Sequence, residues 1–173
     1  MANLLTGDTV IEFTLPATDG QRYSAHEMLT ASKALVVVFM SNDCSYVQAW
    51  EDRVNTIASE YAAQDVRVLA INANTGSANT MENMGKRAIE KEYVFPYAAD
   101  ETQIVTHAFG AEQTPEVFIF DASAKLRYHG AIDDNYEHAQ AAKQHFVREA
   151  LNALITDNEV TIPETKTIGC PIR

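Results

Sequence analysis

The sequence predicts an α/β fold: a central mixed sheet flanked by helices, with an N-terminal β extension and an extended C-terminal tail. Three observations carry that reading. The run Ala34–Met40, with Val36, Val37, Val38 and Phe39 in succession, is apolar on both of its alternating faces, as a strand covered from two sides must be. After Cys44 the spacing turns helical, with apolar residues at Val47, Trp50, Val54, Ile57 and Tyr61. Beyond them strands and helices alternate until two strands follow one another directly, which fits a sheet with both parallel and antiparallel pairs.

Taken in order, Thr9–Leu15 mixes β-branched and apolar residues and is interrupted by Pro16 and the turn chemistry of Asp19-Gly20. Ala34–Met40 is the central strand. The helix after Cys44 turns its stripe toward that strand and leaves Gln48, Glu51, Asp52 and Glu60 for water, so Trp50 reads as packing. Val66–Asn72 is the next strand. A helix is predicted over Thr80–Glu92, with Met81, Met84, Ala88 and Ile89 inward and the methionines as flexible core residues. An extended piece spans Val94–Tyr97, and a short helix spans Thr102–Phe109. Strands at Val117–Phe120 and Leu126–Ile132 flank the polar turn Asp121–Ala124. A closing helix is predicted from Glu137 to Leu154. From Thr156 to Arg173, Pro163, Gly169 and Pro171 predict an extended tail, 156–173, lying on the domain. No internal repeat or long linker interrupts this order, and 173 residues suit one domain, 1–173.

Composition narrows the function. The apolar fraction of 46% is that of a globular protein, and no twenty-residue apolar run exists to cross a membrane. Thirteen basic against 24 acidic side chains give a formal charge of −11, a surface that repels phosphate backbones and anionic lipid. Neither nucleic acid nor membrane is expected as a partner. The start, Met1 to Asp8, has no basic segment leading into an apolar one, so no signal peptide is read and a cytoplasmic protein is expected. Two cysteines, Cys44 and Cys170, far apart in sequence, do not make a dense disulfide scaffold. Two unrelated buried thiols are one reading of that count.

The other reading is chemical. Cys44 sits where a buried strand gives way to a helix, and the free amides and positive end of a helix favour thiolate. Asp43, Glu51 and Asp52 oppose that charge, and Arg53 offsets them only if it points inward. Ser41, three residues earlier, could donate to a substrate oxygen or to the thiolate, or satisfy a nearby backbone group. Val47 stands where a second cysteine of a local pair would be, so no Cys-x-x-Cys cycle is available. Thr114-Pro115 enters a later strand, and a cis bond there would bring its backbone beside the thiol and offer a docking edge. Cys170, in the Pro/Gly-rich tail, is a candidate to resolve an oxidised Cys44 if the Cα atoms can approach within about 4.4–6.8 Å. An intermolecular bond, a metal-stabilising contact and a packed thiol are the competing readings. His107 and His129 read as structural or surface residues, and His26 carries no geometry. Asp133-Asp134-Asn135 reads as a polar turn capping the last helix, or as oxygen ligands for a divalent ion. No cofactor or metal is expected.

The segment Ser41-Asn42-Asp43-Cys44-Ser45-Tyr46-Val47 resembles the Cys-Asn-His-Cys-Pro-Tyr-Val signature of a family of small thioredoxin-like redoxins, related to thiol peroxidases and thioredoxin-like thiol oxidoreductases. The likeness extends over Glu51-Asp52-Arg53, Asp100 to Gln103, Thr114-Pro115, Ile132 to Asn135, Pro163 to Lys166 and Gly169-Cys170. It implies a thioredoxin-like fold with a cis Pro115 opposite Cys44. The family's first signature cysteine is Ser41 here, which departs from a dithiol site. Ser41-x-x-Cys44 is similar to part of a peroxiredoxin site, yet Val38 replaces its proline and Pro115 stands where its arginine is expected.

Together these readings make Cys44, Cys170 and Ser41 the candidate catalytic residues, with Thr114, Pro115 and Tyr46 binding substrate. The expected function is thiol-disulfide exchange through Cys44, resolved by Cys170. Weak thiol-dependent peroxidase activity and a noncatalytic protein-binding module are the alternatives. The expected partners are a protein or small-molecule thiol or disulfide and a reductant such as a thioredoxin-type protein or glutathione.

Overall fold

The apolar run that opens the sequence argument becomes the middle strand of five. The computed structural model describes residues 3–173; Met1 and Ala2, part of the segment read for a leader, lie outside the described residues. The elements are β1 (Thr14–Pro16), β2 (Arg22–Ser24), α1 (Ala25–Leu29), β3 (Ala34–Phe39), α2 (Ser45–Tyr61), β4 (Val66–Asn72), α3 (Met81–Glu90) and β5 (Tyr97–Ala99). They continue with α4 (Ile104–Phe109), β6 (Gln113–Thr114), β7 (Glu116–Asp121), β8 (Leu126–Gly130), α5 (Phe146–Ile155) and β9 (Cys170–Pro171).

The main sheet has the order β5-β4-β3-β7-β8. Strand β3 pairs parallel with β4, and β4 with β5, across the helical crossovers α2 and α3. Strands β7 and β8 return antiparallel on the other side of β3. Alternation along β3 divides the core: Val36 and Val38 face Trp50, Val54 and Leu151, while Leu35, Val37 and Phe39 face Met28, Phe109 and Phe118. Both faces are covered, which is why β3 tolerates no polar residue.

Several boundaries differ from the sequence reading, each for a local reason. The N-terminal β extension contracts to β1, paired with β2, and Thr9 makes only an isolated bridge to Lys125. Pro16 lies inside β1 because a two-stranded edge needs few amide donors. On α3 the buried stripe is Met84 with Met81 and Ala88 beside it, whereas Ile89, one helical step of about 100° beyond Ala88, is 81% exposed. The closing helix begins at Phe146 rather than Glu137. Residues 137–145 include no buried side chain to hold a helical face against the core. They are tied down instead by polar side chains, with Asn135 Oδ1 accepting from the His138 amide and Asp134 Oδ1 from that of Lys143. Glu51, expected in water, is 1% exposed, and Arg87, Lys91 and Tyr93 surround its carboxylate.

Candidate active site

Cys44 is the N-cap of α2, with extended backbone angles, and its carbonyl accepts the Gln48 amide at 3.0 Å. No side chain caps this helix, so its first amides have no side-chain acceptor. The turn that delivers Cys44 is built from amide side chains. Asn79 Oδ1 accepts from the Asn42 amide and from Asn72 Nδ2, both at 2.9 Å, and Asn79 Nδ2 donates to Asp43 at 3.1 Å. Tyr97 donates its hydroxyl proton to Asn42 Oδ1 at 2.9 Å and accepts from Asn72 Nδ2 at 3.0 Å. Burial holds the Tyr97 phenol neutral, its pKa well above the ordinary tyrosine value although the Asn72 bond pulls the other way.

Opposite lies the Thr114–Pro115 bond, which is cis. The Thr114 carbonyl oxygen stands 3.2 Å from Cys44 Sγ, and its hydroxyl 3.4 Å from Ser41 Oγ. Ser41, Cys44 and Thr114 are each 1% exposed. Buried Glu116 shapes the approach, accepting the Glu112 and Gln113 amides at 2.9 and 3.1 Å through one oxygen and meeting His129 Nε2 at 2.6 Å with the other.

The tail closes the site. At its base the His129 amide donates to Pro163 O and the Thr165 amide to His129 O, both at 3.0 Å. Thr165 Oγ1 accepts from the Ala131 amide and donates to Tyr128, whose own proton goes to Ala131 O. At its tip β9 pairs antiparallel with β6, Cys170 opposite Thr114 and Pro171 opposite Gln113. The Ile172 amide donates to Glu112 O at 3.0 Å, and the Thr75 amide to Arg173 O at 2.7 Å. Cys44 and Cys170 are joined in a disulfide with Cα atoms 5.9 Å apart across a separation of 126 residues. Of the readings left open for Cys170, the intramolecular partnership is the one realised.

The structure thus brings Cys44, Cys170, Ser41, Thr114 and Pro115 together. Tyr46, the second residue of α2, is half-buried, its ring 4.8 Å from that of Tyr136. Three of the four charges read near the helix start are committed elsewhere; Asp43 is exposed beside Cys44 and accepts from Asn79 Nδ2. Arg53 binds Asp133 at 2.8 Å and the Asn135 and Tyr136 carbonyls, so it holds the 133–136 turn rather than the thiol. Asp133 also accepts Trp50 Nε1 at 2.9 Å, which makes Asp133-Asp134-Asn135 a structural turn and not a set of free ligands. The carboxylates of Glu51 and Asp52 are neutralised by Arg87 and Lys91. His26 and His107 are exposed.

Two site features went unread in the sequence. The amides of Asn72 and Asn79 left a trace, as polar residues crowded after an apolar strand. The tail's pairing with β6 left none, since two-residue strands have no periodicity.

Residues 6–129 match the model of the AhpC/TSA family. The chain belongs to the AhpC/TSA family. Its fold is that of a thioredoxin-type redoxin related to peroxiredoxins, thioredoxins and DsbE-like oxidoreductases. It is similar to a hypothetical protein of Sinorhizobium meliloti 1021, with TM-score 0.91 and 31% identity over 99% of this chain and 95% of that one. An uncharacterized conserved protein of Geobacillus kaustophilus gives 0.92 and 31% over 98% and 92%. The tail lies beyond the family match but inside both of these. The peroxidoxin BcpB of Mycobacterium tuberculosis shares the fold at TM-score 0.69 and 19% identity, over 89% of this chain and 98% of that one. No curated protein matches significantly.

The cytoplasmic expectation is corrected by two further likenesses. One is a secreted Mycobacterium tuberculosis disulfide oxidoreductase, with TM-score 0.56 and 14% identity over 66% of this chain and 79% of that one. The other is a Chlorobium tepidum protein described as a thiol:disulfide interchange protein DsbE, at 0.65 and 21% over 90% and 98%. The same fold serves outside the cytosol, where disulfides persist, and the cytoplasmic reading does not stand. Among the described residues no helix is long and apolar enough to cross a membrane.

Proposed function

We propose that the protein is a thiol-disulfide oxidoreductase in which Cys44 attacks and Cys170 resolves. The observation that carries this reading is the disulfide between a cysteine at the start of α2 and one on a strand laid against Thr114. The Cys44 thiolate attacks a substrate disulfide; a Cys44–substrate S–S bond forms and the other substrate sulfur leaves with the electron pair. Cys170, having lost its proton, then attacks Cys44 Sγ and expels the remaining substrate thiolate. The substrate is reduced by two electrons and the protein keeps the disulfide. A dithiol such as a thioredoxin-type protein, or two glutathione molecules, resets the pair and is itself oxidised.

Ser41 lies against Thr114 rather than against the sulfur, so its place in this cycle is to position the docking edge. Tyr46, Thr114 and Pro115 border the space the substrate enters. Family membership favours a second substrate for the same sulfur. A peroxide would oxidise Cys44 to a sulfenic acid, releasing water or an alcohol, and Cys170 would condense with it to the disulfide and a second water. Val38 and Pro115 replace the groups expected to support that reaction, which makes it the slower of the two.

Turnover of a model protein disulfide with a thioredoxin-type reductant tests the proposal. Cys44→Ser abolishes it, and Cys170→Ser accumulates a substrate adduct on Cys44. Full activity in Cys44→Ser removes the proposal, and comparison with peroxide consumption ranks the two substrates.

A further inference from the structure

The tip of the tail has the form of a bound peptide. It is extended, it pairs antiparallel with β6, and its cysteine is joined to Cys44 as a substrate cysteine would be midway through exchange. Main-chain pairing supplies affinity in such strand addition, while side-chain room at each position supplies specificity.

That room is smallest just before the cysteine. A Cβ on Gly169 would overlap the Thr114 carbonyl oxygen and come within 2.8 Å of its carbonyl carbon. The obstacle is backbone and cannot rotate aside. It is held in place from two sides, by the main-chain ladder of β7 against β3 and by Glu116 fixing the Glu112 and Gln113 amides. On the other side of the cysteine, Pro171 is paired opposite Gln113 but exposed.

We infer that the β6 edge accepts an extended cysteine-bearing segment of another polypeptide, that residues 169–171 occupy it as a built-in competitor, and that the Thr114 carbonyl selects glycine immediately before the attacked cysteine. This rests on the thiol-exchange reading and names its substrate class. The tail vacates the edge by pivoting on its base, where Gly130 leaves space for Thr165 and the Pro163–Thr165 hydrogen bonds stay in place. As the Cys170 thiolate attacks Cys44 Sγ and the peptide sulfur leaves as a thiolate, Gly169 and Cys170 return to the same register.

The test uses two peptides, one with the sequence of residues 167–173 and one with alanine in place of its glycine. Each carries its cysteine as a mixed disulfide with thionitrobenzoate. The reduced full-length Cys170→Ser protein attacks the peptide sulfur; a Cys44–peptide disulfide forms and coloured thionitrobenzoate leaves as the thiolate. The glycine peptide should react about tenfold faster or more, the scale of a backbone overlap. Adding Gly169→Ala to the protein should raise the glycine peptide's rate further, because the protein's own tail no longer competes. Equal rates for the two peptides overturn the glycine selection, and an unchanged rate with Gly169→Ala overturns the competition. Dithiobis(nitrobenzoate) serves as a control too small to need the edge. If Cys44 fails to react even with it, the thiol-exchange reading falls and this inference falls with it.

Discussion

At the scale of single atoms the disulfide is lopsided. Cys44 is 1% exposed, whereas Cys170 keeps part of its surface in water. Exchange requires a thiolate to reach a sulfur, and the leaving sulfur departs faster the lower its pKa. An external reductant therefore meets Cys170 Sγ: a bond forms between reductant and Cys170, and Cys44 leaves as thiolate at the start of α2, where amides and helix dipole receive the charge. Access and leaving-group stability point the same way. Brief treatment of the oxidised protein with a small thiol, acid quenching and mass mapping should find the adduct on Cys170 and leave Cys44 open to alkylation. An adduct on Cys44 would reverse the assigned direction.

At the scale of elements, α2 is held by what lies beyond β8. Asp133 is 5% exposed and accepts both Trp50 Nε1 and the Arg53 guanidinium, so it binds the 133–136 turn to the helix that carries Cys44. Asp133→Ala strands a buried indole N–H and a largely buried cation, and should cost about 3–5 kcal/mol, the range for breaking one side of such a pair. Denaturant unfolding with Trp50 fluorescence measures it; a loss below about 1 kcal/mol, the worth of a surface pair, would remove the clamp. Much of this level is legible in the sequence, because long elements with buried faces impose periodicity. The stripe Val47, Trp50, Val54, Ile57, Tyr61 appears where it was read, and the run read over Ala34–Met40 forms a strand over Ala34–Phe39. Glu51 was misread because polarity was weighed above position. It lies four residues after Val47 and three before Val54, on the inward face, and its cationic partners come from another helix. The closing helix was overextended for the converse reason, since residues 137–145 have helix-forming side chains but no face to bury. Cys44 and Thr114-Pro115 were found from their places at strand ends. Their pairing with Cys170 depends on where an aperiodic tail comes to rest, which local pattern does not encode.

At the scale of the whole molecule, two reservoirs of stability respond to conditions. The first is alkaline. Burial, the largest cause in each case, raises the pKa of Tyr93, Tyr97 and Tyr128 above the ordinary 10.0, with Glu51 adding to the effect on Tyr93. Their contribution is complete below pH 10 and is lost as pH climbs from there toward the folded-state values, because the unfolded chain gives up these protons first. Each tyrosine steepens the decline by up to about 1.4 kcal/mol per pH unit, and Tyr97→Phe should make the curve shallower above pH 10. An unchanged slope would mean that this phenol ionises equally in both states. The second reservoir is the disulfide. Closing a loop across 126 residues removes chain entropy from the unfolded state worth about 5 kcal/mol in the loop-closure picture. For a chain of this size that corresponds to a melting temperature about 10–20 °C higher in the oxidised protein than in Cys170→Ser. The folded state should change far less, since the base of the tail is held by β8 through hydrogen bonds that owe nothing to sulfur. Hydrogen exchange on reduction should accordingly accelerate at the paired amides of β6 and β9 and at Ile172, and stay protected along β3, β4 and β7. Equal melting temperatures would show that the covalent link places no constraint on the unfolded chain. Exchange spreading into the central strands would show instead that the tail braces the sheet, and that the redox state of one bond governs the whole fold.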